Sequence, residues 1–192
     1  GYRGPCWGYP FPVRAAGLDC PARTPVIVVC AIAGEAFLLA HKISNDRRYL
    51  DTAIGVSAFL LGDVPRVSRG GREWCFAYSL SDLRRVHNAN LLAVEHILRT
   101  AARTGDAEAL PEVQPALEFS LSAQREDGAW PYGVCDEDEP YEPALMRLVD
   151  HHHTGFVLRS LHGIHTAAPS TVTLEALRAG YQYYKNLVLP SG

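Results

Sequence analysis

The sequence predicts an all-α chain: an α/α toroid of helical hairpins, with about three hairpins forming a partial, open ring. Three observations predict it. First, the chain repeats itself. Asp46 aligns with Asp106, Leu50 with Leu110 and Phe59 with Phe119 at an offset of 60; Leu110 aligns with Leu174, Phe119 with Tyr183, Asn90 with Thr154 and Ile97 with Leu161 at an offset of 64. Self-similarity of this length means one supersecondary unit used three times, each burying its apolar face on its neighbour. Second, the two halves of each unit differ: one is apolar nearly all round, as in VIVVCAIAGEAFLLA, and the other is amphipathic. The first kind belongs to an inner ring and the second to an outer ring. Third, no stretch alternates like a strand between hairpin turns.

The elements follow in order. Unit one, about 7–62, predicts an inner helix over 25–42 and an outer one over 47–61. Pro25 suits a first turn, and Thr24 suits the cap before it. Unit two, about 75–124, predicts helices over 87–103 and 107–123. Unit three, about 130–187, predicts 151–165 and 171–187, with Asp150 as the cap of its inner helix. Ser44-Asn45-Asp46 and Thr104-Gly105-Asp106 read as the turns between paired helices. The 192 residues are read as one partial toroid domain. The chain opens and closes on apolar or aromatic segments rather than polar caps, so it is read as part of a longer protein, or one completed by a partner.

The totals exclude some classes. A net charge of −3 without a basic stripe argues against nucleic acid. The longest apolar run, 26–39, is short for a bilayer and contains Glu35, so no membrane insertion is expected. Five cysteines without C-x-x-C argue for a reducing, cytoplasmic setting, with Cys30 as a small core residue.

The chemistry gathers where the inner helices begin. An aromatic-x-Tyr loop precedes each one: Trp7-Gly8-Tyr9, Phe76-Ala77-Tyr78 and Trp130-Pro131-Tyr132. These rings can plug the barrel end or wall a cavity mouth. His87 aligns with His151 and Asn90 with Thr154, so polar groups at matched positions of adjacent inner helices are expected to face one cavity. The candidate catalytic residues are His87, Asp150, His152 and His153, because histidine titrates near neutrality. Tyr9, Tyr78, Asn88, Asn90 and Tyr132 are the candidate ligand-binding residues, suited to stacking on a sugar face and bonding its hydroxyls. Helix N-termini at the same place favour anionic ligand groups. His151 to His153 fan out by about 100° each, so they do not share one direction. No compact metal signature such as H-E-x-x-H occurs, and neither a metal nor another cofactor is expected. Glu35, aligned with Glu95, is expected as a buried tie inside the ring, and 136–139 as a solvated loop.

Two resemblances add to this. Gln124-Arg-Glu-Asp-Gly128-Ala-Trp130, after Phe119 and Leu121, resembles the QW motif of terpenoid cyclases and related α/α toroids, where Gln and Trp tie an outer helix to the next inner one. The acid motif D-x-D-D is not matched; the nearest stretch is Asp136-Glu137-Asp138-Glu139, and D-D-x-x-D is missing. CWGYPF, VHNANL, DGAWPYG and HHHTGFVLRSL together resemble uncharacterised prokaryotic toroid proteins, related to six-hairpin glycosidases and prenyltransferase-like repeats, that accompany polysaccharide-biosynthesis enzymes. The resemblance implies a ring of about six hairpins and a saccharide or other small-molecule ligand. Three functions are carried forward: a carbohydrate-active or polysaccharide-biosynthesis toroid, a terpenoid cyclase or prenyltransferase-like enzyme, and a non-catalytic glycan-binding or scaffolding toroid.

Overall fold

A computed structural model gives the fold; it describes residues 1–15, 18–68, 70–137 and 139–187. Three helical hairpins run through it: α1 (Ile27–Ser44) with α2 (Arg47–Gly62), α3 (His87–Thr104) with α4 (Ala109–Leu121), and α6 (His151–Ala167) with α7 (Thr171–Leu187). A one-turn helix, α5 (Pro143–Met146), precedes the last hairpin. This is an α/α toroid in partial form, with α1, α3 and α6 inside and α2, α4 and α7 outside. One core unites the hairpins, from Ile27 and Phe59 through Leu91, Val94 and Leu117 to Leu161 and Ala176.

The turns close as the repeat requires. Asn45 and Gly105, one repeat apart, both take the left-handed conformation, φ 56° and 77°, and return their N–H groups to His41 and Ala101. Such a conformation suits Asn and Gly best. Asp46 and Asp106 then accept amides of the next helix start, from Arg48 and Glu108.

Two expectations change at the inner helix starts. Thr24 does not cap α1. The helix begins at Ile27, and its free amides are met by loop carbonyls: Val26 N–H donates to Trp7 and Ile27 N–H to Tyr78. His87 N–H likewise donates to Tyr132. Of the three inner helices α6 alone has a side-chain cap, with Asp150 accepting from His153 N–H at 2.8 Å. The chain also holds six short strands among the described residues: β1 (Val13–Ala15) with β2 (Leu18–Cys20), β3 (Arg66–Ser68) with β4 (Trp74–Phe76), and β5 (Arg85–Val86) with β6 (Gly133–Val134). Strands of two or three residues are too short to leave an alternation in the sequence. One of these pairings has a counterpart in the unit before it. The isolated Val26–Ser79 bridge and the Val86–Gly133 pair are the same contact, one unit apart, so the starts of α1 and α3 are each paired to the loop of the following unit.

The inner helices are not equally enclosed. Nearly all of α3 is buried, packed between α1, α6 and α4. α1 packs on α2 and α3 only among the main helix contacts, and Ile32, Leu39 and Ile43 stand 44, 56 and 78 % exposed along it. The helix runs on past the 26–39 run to Ser44, and with a mean hydropathy of 1.7 it is long and apolar enough to cross a membrane by composition; here it packs as the inner member of a hairpin.

Across the inner ring, Glu35, Glu95 and Arg159 occupy equivalent repeat positions. Arg99 bonds Glu35 and lies 3.3 Å from Glu95, and Arg159 approaches Glu95 at 3.6 Å. The tie inside the ring is therefore ionic. Burial raises the Glu95 pKa, with Arg159 opposing it. Gly34 makes room for the His96 ring and Gly163 for Glu95; a Cβ at Gly34 would lie 2.3 Å from the ring.

Gln124 and Trp130 hold outer elements together. Trp130 is buried and donates from Nε1 to Ser120 O at 2.7 Å, with Gly180 of α7 against its ring. Gln124 donates to Gly128 O and Ala176 O, both at 3.0 Å. The link made by Gln124 thus runs from the end of α4 to α7, an outer helix rather than an inner one.

The 136–139 loop is not simply solvated. Asp136 and Glu139 both hold the Arg85 guanidinium at 2.7 Å, and Arg85 is 1 % exposed. Cys6, Cys30, Cys75 and Cys135 are free thiols; Cys30 is fully buried, with its thiol pushed up to about 12 by burial.

Candidate functional site

The matched polar positions turn out to serve the loops. Cys30 Sγ accepts the Trp7 amide at 3.2 Å, and Asn90 Oδ1 accepts the Phe76 amide at 3.0 Å. Positions 30 and 90 are one repeat apart, and Trp7 and Phe76 each open an aromatic-x-Tyr loop. The shared feature is a side chain that pins the loop, not a shared cavity wall. Asn90 is saturated, because its Nδ2 also donates to Ala116 O and Ser120 Oγ. His87 lies beside it, fully buried, with Nδ1 3.2 Å from Ser120 Oγ and its ring stacked on Phe119. Burial alone lowers its pKa to about 4. Both residues bond into α4 through Ser120.

The remaining candidates lie at the end of the ring where the inner helices start, its mouth. Asp150 caps α6 and accepts from His153 twice, at the backbone amide and at Nδ1, the latter at 2.6 Å. Burial works to raise the Asp150 pKa, but these bonds and the His153 charge outweigh it, and the net direction is down. With Nδ1 held, Nε2 is the nitrogen left for proton transfer. The Tyr132 ring meets the His153 ring edge-on at 4.5 Å. Burial pushes the Tyr78 phenol up, and the neighbouring Tyr132 and Tyr9 phenols add to this. Burial raises Tyr132 as well, against the pull of Arg84 and with the help of Asp82 and Asp150. Tyr9, Tyr78 and Tyr132 thus share one electrostatic neighbourhood with the Asp150–His153 pair. Asn88 is in the first turn of α3, buried, one heptad before Glu95 and so on the same inward face. His152 is exposed, its ring against Phe156 and His153.

Asp82, Arg84 and Tyr141 belong to this mouth and were not anticipated. Arg84 Nε is 2.8 Å from Asp82 Oδ2, and the two side chains are 3 and 7 % exposed. The guanidinium lies 5.1 Å from the Tyr141 ring and 6.0 Å from that of Tyr78. Ser79 Oγ shapes the turn by accepting the Asp82 amide at 3.0 Å, and Asp82 in turn accepts the Arg84 amide. The available signal was a Ser-x-x-Asp turn followed by two arginines directly before a buried helix. A hollow of about 620 Å³ lies elsewhere, between the β3–β4 turn and α4. Its acids are engaged with Ser122 and Gln114, so it offers less chemistry than the mouth. Among the described residues no group of three or more His, Cys, Asp or Glu side chains could hold a metal.

No protein-family model and no curated protein matches the chain. Solved structures do. A cellobiose 2-epimerase from Spirochaeta thermophila superposes with a TM-score of 0.69 at 15 % identity, over 94 % of this chain and 47 % of its own. A GH76 alpha-mannanase from Bacteroides thetaiotaomicron gives 0.68 at 12 %, over 84 and 44 %. An ent-copalyl diphosphate synthase from Streptomyces platensis gives 0.55 at 19 %, over 93 and 31 %. The chain spans less than half the length of each of these structures. At such identities the likeness carries the architecture, and the architecture is the α/α toroid of six-hairpin glycosidase-like and terpenoid-cyclase proteins.

Proposed function

We propose that this chain is a carbohydrate-active toroid protein whose saccharide site is the tyrosine-walled mouth, with His153 as the acid–base group and Asp150 as the residue that orients it. The observation that carries this is the Tyr132–His153–Asp150 arrangement: a ring 4.5 Å from an imidazole whose Nδ1 is fixed by a carboxylate at 2.6 Å. Tyrosine supplies both a flat face for a sugar ring and a hydroxyl for its polar groups. A histidine held in one tautomer presents a lone pair at Nε2, the requirement for removing a proton from a sugar carbon or hydroxyl. Toroids of like fold named as a cellobiose epimerase and a mannanase fit this reading. The terpenoid alternative calls for free carboxylates aimed into the cavity, whereas Asp82 is bound to Arg84 and Asp150 to His153. Cys6, Cys30, Cys75 and Cys135 as free thiols fit work in a reducing compartment.

The test is to incubate the chain with glucose, mannose and cellobiose in deuterium oxide and follow proton exchange and product formation by NMR, beside saturation-transfer measurements of binding. The expected result is saturation transfer to the sugar, lost in Tyr132→Ala, together with exchange or turnover that is lost in His153→Gln while binding persists. Binding without any turnover would leave a glycan-binding toroid in place of an enzyme. Saturation transfer to none of the sugars would refute the reading.

A further inference from the structure

The first two units carry the same loop, but what precedes it differs. Cys6-Trp7-Gly8-Tyr9 aligns with Cys75-Phe76-Ala77-Tyr78 at an offset of 69. The Trp7 and Phe76 amides are held by positions 30 and 90, one repeat apart, which fixes the match in space. In the first unit the residues before the loop lie on α2. The Tyr2 ring meets Phe59 edge-to-face, with centroids 5.6 Å apart, and Phe59 is fully buried. The Arg3 amide donates to Asp63 at 2.7 Å, and the Arg3 side chain lies over Gly62. In the second unit Gly71 stands at the position of Tyr2 and Phe119 at that of Phe59. Both line the 620 Å³ hollow beside α4, and Phe119 is 8 % exposed. The hollow thus falls where the repeat places a tyrosine ring.

Neither the backbone nor the packing asks for glycine at position 71. Its φ lies outside the left-handed region, and a Cβ there meets nothing nearer than the Glu73 amide nitrogen, at 4.0 Å. The volume falls within the range of small-ligand sites, about 300–1,000 Å³, so the hollow has room for a ring and the residues beside it. His87 is stacked on Phe119, and a second ring adds the edge-to-face contact that Tyr2 makes on Phe59. The walls are acidic. Glu73 and Glu118 bond neutral groups, the Ser122 hydroxyl at 3.0 Å and the Gln114 amide at 2.9 Å. Among the described residues no cation pairs with either. Arg72, also in the lining, sets one positive charge against these two carboxylates, and a basic residue on the occupant restores the balance.

We infer that this hollow is a docking slot for a segment of a partner protein, taking an aromatic side chain with a basic residue next to it, the pattern that Tyr2-Arg3 presents to α2. The slot stands apart from the mouth and holds whether or not the mouth binds a saccharide. The test titrates the 192-residue chain with the blocked peptide acetyl-Gly-Tyr-Arg-Gly-amide, by calorimetry and ¹⁵N NMR. Parallel titrations use the same peptide with alanine for tyrosine, p-cresol and cellobiose. The tyrosine peptide is expected to shift the amide resonances of 71–73 and 118–123. It should bind about tenfold or more tightly than the alanine peptide or p-cresol. Gly71→Tyr, which builds the ring into the chain, should raise the melting temperature and weaken the peptide about tenfold or more, whereas Gly71→Ala should leave binding within about twofold. Glu118→Lys, at an exposed position, should weaken it about threefold or more. Equal affinity for the two peptides overturns the inference, and this comparison is made on the parent chain, so it survives a variant that fails to fold. Undiminished binding by a folded Gly71→Tyr overturns it too. If p-cresol binds as tightly as the peptide, the hollow is a small-molecule pocket and the partner segment falls. Cellobiose shifting the same resonances assigns the hollow to a glycan and overturns the inference, while the reading of the mouth is tested separately.

Discussion

His87 is fully enclosed, and its pKa of about 4 compares with an ordinary value of 6.5. The enclosure favours the neutral ring, so the unfolded chain takes up the proton first as pH falls. Stability is unaffected by this group above about pH 6.5 and drains away between there and about pH 4, by up to about 1.4 kcal/mol per unit. In urea denaturation at pH 7 and pH 5, the parent chain should lose about 2 kcal/mol more than a His87→Gln variant; equal losses would mean that the ring is not buried neutral. Trp130, 2 % exposed and bonded to Ser120, should cost about 3–5 kcal/mol on change to Ala in the same assay. Unchanged stability with lost sugar binding would instead move Trp130 into the mouth. At this scale the sequence was legible where a residue type has one use. Asp150 read as a cap and Cys30 as core, and both are so placed. Asn90 did not yield to the same reasoning, because a polar residue facing a cavity and one pinning a backbone amide occupy the same helical position. Asp82 and Arg84 were silent because they lie in a turn outside the aligned segments, where a carboxylate and a guanidinium two residues apart look like surface charge.

The inner helices were legible as elements because the apolar run 26–39 has few other uses and the repeat carries its helix onto the two later units, and their observed bounds fall within about two residues of those expected. Their starts were harder to read. Sequence rules for capping look for a local side chain, whereas α1 and α3 are met by carbonyls some 20 to 50 residues away along the chain. The same long-range pairing produced the two-residue strands that no periodicity announces. Helix packing supplies a prediction of its own. Gly34 of α1 lies over the His96 ring of α3, so Gly34→Ala should destabilise by about 1–3 kcal/mol despite alanine's better helix propensity. A second denaturation series decides the cause. In a His96→Ala background the same change should be close to neutral, and a full penalty there would show that the clash lies elsewhere.

Over the whole molecule, the repeat carried the architecture, and what it hid was the difference between a central unit and an edge unit. The inner helices look alike in sequence, yet α3 is enclosed and α1 keeps Ile32, Leu39 and Ile43 in the open. An apolar stripe of this kind drives association. Light scattering over a concentration series should show the isolated chain self-associating, and Leu39→Lys with Ile43→Lys should hold it as a monomer; a parent chain monomeric at high concentration would show the stripe to be inert. The bridges Val26–Ser79 and Val86–Gly133 reach further still. Modular repeat proteins are shortened or extended by whole units, because each unit brings its own helix starts. Here the starts of α1 and α3 are each completed one unit downstream. Cutting after residue 124 would leave His87 and Val86 without their partners although no residue of α3 had changed. Evolution, or an engineer, can therefore move a hairpin in this ring only together with the loop that follows it, and the heritable module is offset from the visible one.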